Sequence, residues 1–196
     1  MRSRDMQIKK SYSTRIVGVN GICPYKSKVE RYLKDMREYF VDKKAVNNII
    51  SRGENPLIYV VYEIDQESPG ELNVGCTIIY PGKIGEEYYF TKGHYHKRDN
   101  ASEVYIGVDG EGLILMQDKS GKSFIEEIKP DTIIYIPPGV AHRAVNTGKT
   151  ELIFLAIYPS DAGHDYEMIM KTGFAKIVVE RNGKPLIIDN PDCKGS

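Results

Sequence analysis

The sequence has no tryptophan, only four histidines in 196 residues, and three cysteines. Cys23, Cys76 and Cys193 stand far apart with no CxxC pair, which argues against both a thiolate zinc knot and a disulfide framework. An excess of either charge is also missing. Twenty-seven Lys plus Arg balance 27 Asp plus Glu, so no basic surplus offers itself to a phosphodiester backbone, and no nucleic-acid partner is expected. No apolar run approaches the roughly 18–20 residues of a membrane span. The longest, Leu152 to Tyr158, is strand-sized, and no membrane partner is expected. The N-terminus (MRSRDMQIKK) is polar and basic with no apolar segment behind it, so it does not read as a secretory signal. The expectation is a cytoplasmic protein with reduced thiols.

What is present fits one domain. Hydrophobic residues make up 41% of the chain, enough for a substantial core, and 14 tyrosines can serve strands or line a polar cavity. Residues 1–20 show no period and read as an N-terminal arm; 21–196 read as a single domain. Ser27 and Glu30 stand at capping-box spacing, and Val29, Leu33, Met36 and Phe40 fall on one helical face, which predicts a helix. A second, short helix is expected from Asp42 as N-cap to Ile50, stopped by Gly53. After Pro56 the character changes. Segments 57–64, 73–80, 87–91, 103–108, 112–117, 132–137 and 151–158 are short, rich in β-branched and aromatic residues, and separated by turn clusters such as PGKIG and VDGEG. Many such strands predict an all-β sandwich or barrel with jelly-roll connections. Residues 162–173 read as a helix ending on Gly173. A last strand, 176–180, precedes a turn at Arg181-Asn182-Gly183 and a polar tail.

All four histidines fall after this change, at 94, 96, 142 and 164. In an extended His94-Tyr95-His96 both imidazoles reach the same side. Glu103 follows after a plausible turn at Asp99-Asn100, where a hairpin would return it beside the histidine pair. Pro137-Pro138-Gly139 makes a rigid turn before His142, which opens the next strand. A lone HxH pair needs no metal, but three imidazoles and a carboxylate in this order suit a divalent ion of borderline hardness. The spacing leaves iron, manganese, nickel, cobalt and zinc open, with positions free for water or substrate oxygens.

These residues resemble the cupin superfamily. His94, His96, Glu103 and Gly110 match most of its first motif, and Pro137, Gly139, His142 and Asn146 the core of its second. Tyr88 and Asp131 stand where those motifs begin with glycine, and the gap from His96 to Glu103 exceeds the generic one. A more specific pattern, PxxGxExxxTxGHxHx6–11ExY followed by PPxxxHxxxN, is similar to Pro81–His96, Glu103-Val104-Tyr105 and Pro137–Asn146, with Pro81 one residue early. That pattern belongs to the cupin-type phosphoglucose isomerases, which FLAIYPSDAGHDY and DMREYFVD also resemble. The likeness runs from about Lys28 to Pro191.

The resemblance implies a cupin jelly-roll barrel with a few short flanking helices, a homodimer, and the interconversion of glucose 6-phosphate and fructose 6-phosphate. It implies one divalent metal per subunit, Fe2+ ahead of Mn2+, Ni2+, Zn2+ or Co2+, held by His94, His96, Glu103 and His142. Tyr105, Tyr158 and His164 would line the sugar cavity, and Tyr59, Thr91 and Gly93 would approach the phosphate. Glu103 and Tyr105 are the expected catalytic residues. Glu103 would be the base if a proton moves through a cis-enediol, and a ligand only if a hydride shifts. Two other classes share the ligand set: a metal-dependent cupin dioxygenase and a non-catalytic sugar-binding cupin.

Overall fold

The structure is a computed structural model that describes residues 11–193. In chain order it begins β1 (Arg15–Ile16), β2 (Ile22–Cys23), β3 (Ser27–Tyr32), α1 (Leu33–Met36), α2 (Lys43–Ser51), β4 (Leu57–Ile64), β5 (Leu72–Ile79), β6 (Lys83–Ile84) and β7 (Glu87–Tyr88). It continues β8 (Glu103–Asp109), β9 (Gly112–Gln117), β10 (Ser123–Ile128), β11 (Ile133–Ile136), β12 (Ala141–Asn146), β13 (Leu152–Pro159), α3 (Tyr166–Thr172), β14 (Lys176–Arg181) and β15 (Lys184–Asp189).

The strands pair antiparallel, as short connections between alternating segments allow. The largest sheet has six strands in the order β11-β8-β13-β5-β4-β3; a three-stranded sheet runs β10-β9-β12 and a four-stranded one β15-β14-β7-β6. Phe154 and Ile79 of the large sheet share one core with Ile114 and Ala144 of the small one. The crossed strand order and this shared core are the all-β, jelly-roll type of arrangement that the strand pattern predicts. Segment 90–96 runs beside β12, with bridges Phe90↔Val145 and His94↔His142, and so extends the small sheet.

Several local expectations change. The helix read from Ser27 is a strand as far as Tyr32, and only Leu33–Met36 is helical. The apolar spacing was real, since Leu33, Met36 and Phe40 are buried, but it is shared among a strand, one helical turn and a loop. Pairing with β4 along Ser27↔Glu63 to Arg31↔Tyr59 overrides the local helical signal. The box itself moves: Asp35 caps the Tyr32 N–H. The second helix stands as read, with the Asp42 side chain accepting from the Ala45 N–H. The third is shorter, beginning at Tyr166 with Asp165 as its cap. Past the turn at Arg181–Gly183 the polar tail is the exposed strand β15, paired along β14 through a turn with Asn182 and Gly183 at φ 53° and 72°. β10 (SFIEEI) carries no clear strand pattern in the sequence, because Glu126 and Glu127 blur its alternation. The arm falls partly outside the described residues, at 1–10; within 11–20, Arg15–Ile16 pair with Ile22–Cys23.

Candidate metal centre and cavity

Strand periodicity places the site. Side chains two apart on one strand share a face, and cross-strand partners line up beside them. The register Glu63↔Gly75, Gly75↔Ala156, Ala156↔Tyr105 makes one row across the large sheet. Tyr59 lies four residues before Glu63 on β4; Tyr158 and Glu103 lie two beyond that row on β13 and β8. All face one cavity, whose opposite wall is formed by Thr91, Lys92, Gly93, His94 and His142.

At one end His94, His96, Glu103 and His142 converge, with ligand atoms all within 4.8 Å of one another. The expected hairpin is not what joins them. Glu103 pairs with Ile136 on β11, and a turn closed by the Ala101 N–H on the Arg98 carbonyl returns the chain to it. His94 and His96 are extended but lie outside the named strands, anchored by the bridge to His142.

The donor chemistry fits a cation. His96 Nδ1 meets the Ala101 carbonyl at 3.1 Å and His142 Nδ1 the Val140 carbonyl at 3.3 Å. A carbonyl only accepts, so each Nδ1 carries hydrogen and each Nε2 presents a lone pair to the site in the neutral ring. Those Nε2 atoms lie 3.1 Å and 2.9 Å from Glu103 Oε2. Lone pairs facing a carboxylate oxygen at such distances repel unless a proton or a cation sits between them. Among the described residues the buried Nε2 atoms of His94 and His142 have no hydrogen-bond partner, despite the closeness of Glu103 to the latter. Burial opposes ionisation of Glu103, but His142 and His96 outweigh it and bring the carboxyl down to about 2. Burial, with the neighbouring imidazoles, holds His94 well below its usual range. The ionised Glu103 and the neutral His94 are in the forms that bind a divalent ion, whereas for His96 burial is outweighed by Glu103, which raises its pKa.

The other predicted residues gather around this cluster. His164 packs edge-on to His94, ring centroids 4.3 Å apart, and Tyr158 stands 5.7 Å from His164. Tyr105 is 5.7 Å from the His142 ring, and burial raises its phenol well above the usual range. Tyr59, Thr91 and Gly93 also line the cavity. The Thr91 Oγ1 accepts from the Ala144 N–H, which leaves its own hydrogen for the cavity. Burial raises the pKa of the Tyr59 phenol, against a smaller lowering influence of Arg31 and the Lys92 backbone.

Sequence reasoning missed Arg31, Glu63 and Tyr166. The sequence reads Arg31 as helical, and only its place on β3 opposite Tyr59 sets it beside that cavity residue. Glu63 accepts from the Tyr158 hydroxyl at 2.9 Å, and burial raises its pKa. It sits in an apolar run, where a strand-facing carboxylate is the available signal. Burial first, then Arg31, lowers the pKa of Lys92, whose ammonium lies 5.3 Å from the Tyr39 ring centroid.

The glucose-6-phosphate isomerase family model matches residues 30–192. Glucose-6-phosphate isomerase of Pyrococcus abyssi is 47% identical over 175 residues, which span 89% of this chain and 92% of that one. The enzyme of the same name from Thermococcus litoralis is 45% identical over 187 residues, 95% of this chain and 98% of that one. Among solved structures, Bacillus subtilis oxalate decarboxylase aligns over 53% of this chain and 26% of its own, with 19% identity and a TM-score of 0.44.

Proposed function

The chain belongs to the glucose-6-phosphate isomerase family, and from that membership and the cavity we propose how its residues interconvert glucose 6-phosphate and fructose 6-phosphate. We assign His94, His96, Glu103 and His142 to one divalent ion, Fe2+ first, with Mn2+, Ni2+, Zn2+ and Co2+ as alternatives. The observation that carries the assignment is the convergence of four donors within 4.8 Å, two of them buried nitrogens without a partner. When bound, such an ion supplies Lewis-acid stabilisation of negative charge on neighbouring sugar oxygens.

The protein groups bind and orient the sugar. The phosphate is placed at Tyr59, Thr91 and Gly93, where Arg31 and Lys92 add positive charge. Tyr59 and Glu63 lie four residues apart on one strand face, about 13 Å, which seats a six-carbon chain with its phosphate lengthwise. Tyr158 has given its hydrogen to Glu63, so toward the sugar it accepts from a hydroxyl. Burial lowers the His164 pKa, and the neutral ring faces the same hydroxyls. Tyr105 keeps its proton and donates. Glu103 moves a proton between C1 and C2 through a cis-enediol, as base toward one carbon and acid toward the other.

We further propose a cytoplasmic homodimer, with 21–196 as the cupin domain and 1–20 as its arm. The decisive experiment is a coupled assay of fructose 6-phosphate turnover. Dialysis against EDTA should abolish turnover, and iron, manganese or nickel should restore it. Full activity in protein shown by elemental analysis to be metal-free would overturn the assignment.

A further inference from the structure

We propose that Arg143 is the positioning residue of the phosphate-binding segment, acting from behind it through the Lys92 carbonyl. The inference rests on the reading of Thr91–Gly93 as the phosphate end. His142 and Arg143 are neighbours on β12, so their side chains point to opposite faces. His142 enters the cavity; Arg143 turns away and is buried, 4% exposed. Its Nη2 and Nε donate to the Lys92 carbonyl at 2.8 and 3.3 Å. The guanidinium lies 4.2 Å from the Phe90 ring centroid and 4.5 Å from that of Phe174. Burial pushes its pKa down to about 10, which leaves it cationic at neutral pH.

Two aromatic faces and the Glu87 carboxylate offset part of the cost of burying this charge, but an apolar side chain would fill the space without that cost. What the charge accomplishes is at the peptide it holds. In a trans peptide the carbonyl and the next N–H point in opposite directions. With the Lys92 carbonyl aimed back at Arg143, the Gly93 N–H is aimed forward, toward the cavity side. A charged hydrogen bond on the carbonyl polarises the peptide and makes that N–H a stronger donor to an anion. Gly93 completes the arrangement at φ +74°, where a Cβ would stand 2.6 Å from Phe174 and 3.0 Å from the His142 carbonyl. Arg143 therefore fixes both the direction and the strength of a phosphate donor that it never touches.

The test uses the metal-loaded enzyme, with inorganic phosphate as competitive inhibitor. Arg143→Met should raise the phosphate inhibition constant and the KM for fructose 6-phosphate together, by about tenfold or more. Its kcat should change less than its KM, and its metal content should be unchanged. Arg143→Lys keeps the charge but not the fork, and should fall between the two proteins; it also serves if Arg143→Met does not fold. Phosphate that competes in the wild-type enzyme but with an unchanged inhibition constant in the folded variants would overturn this inference alone. Phosphate that does not compete in the wild-type enzyme, with Thr91→Ala leaving KM unchanged, would overturn the phosphate reading and the inference with it.

Discussion

Each histidine in the cluster has a distinct local anchor, and this makes substitutions separable. His142 is 1% exposed and contributes a buried nitrogen that has no hydrogen-bond partner among the described residues. Replacing it by alanine removes a donor from a four-residue set, so His142→Ala should lose most bound metal and at least about a hundredfold in activity, read by elemental analysis beside the coupled assay. Tyr105→Phe removes only a hydroxyl next to the cluster; it should retain stoichiometric metal while turnover falls. The same metal loss in both would show that Tyr105 supports the cluster rather than the sugar. In the proposed mechanism Glu103 carries the transfer. Turnover in deuterated water should place deuterium at C1 or C2 of the product, since a proton resting on a carboxylate exchanges with solvent. A metal-loaded Glu103→Gln variant with near-normal rates would remove Glu103 from the role of base.

At the level of elements, the chemistry sits at strand ends and turns, and the sequence exposed those better than it exposed the helices. His94, His96, Glu103 and His142 were legible because each falls beside a turn signal in β-rich surroundings: Asp99-Asn100, or Pro137-Pro138-Gly139. The segments at 57–64 and 73–80 were legible as strands because buried sheets select continuous β-branched runs. Ser27–Tyr32 was not, since an edge strand of mixed polarity carries no local mark of the neighbour that pairs with it. Arg31 and Arg143 were hidden for a related reason: what each does depends on the element behind or beside it. Glycine roles were partly hidden too. Gly93 and Gly139 have nearly the same φ, 74° and 73°, yet a Cβ at Gly139 meets nothing within 4 Å while one at Gly93 collides with Phe174. Alanine at either position takes on the left-handed strain of about 1–3 kcal/mol. Gly93→Ala should cost clearly more than Gly139→Ala in urea unfolding, and equal losses would show that the Phe174 contact relaxes freely.

For the whole molecule, the balance of charge conceals a buried acid at the junction of its layers. Glu87 on β7 is 4% exposed and accepts from the Val41 N–H at 3.0 Å in the connection between α1 and α2. Arg143 on β12 and Lys43 at the start of α2 face it electrostatically, with Asp192 opposing them. Burial dominates and lifts its pKa from 4.5 to about 7. Below pH 4.5 the group is protonated in folded and unfolded chains alike, and no penalty arises. Between those values the folded protein holds a proton that the unfolded chain has released, so stability falls as pH rises. Above about pH 7 the whole cost of the buried carboxylate is present, on the order of 3 kcal/mol. Glu103 has the opposite sign, and its contribution is lost as pH falls from 4.5 to about 2, a window that ends where this one begins. Glu87→Gln keeps a carbonyl for the Val41 N–H and cannot ionise. Its urea midpoint should therefore exceed that of the wild-type protein at pH 8–9, and the difference should shrink steadily toward pH 5. Parallel curves across that range would mean that Arg143 and Lys43 already neutralise the carboxylate in the folded protein.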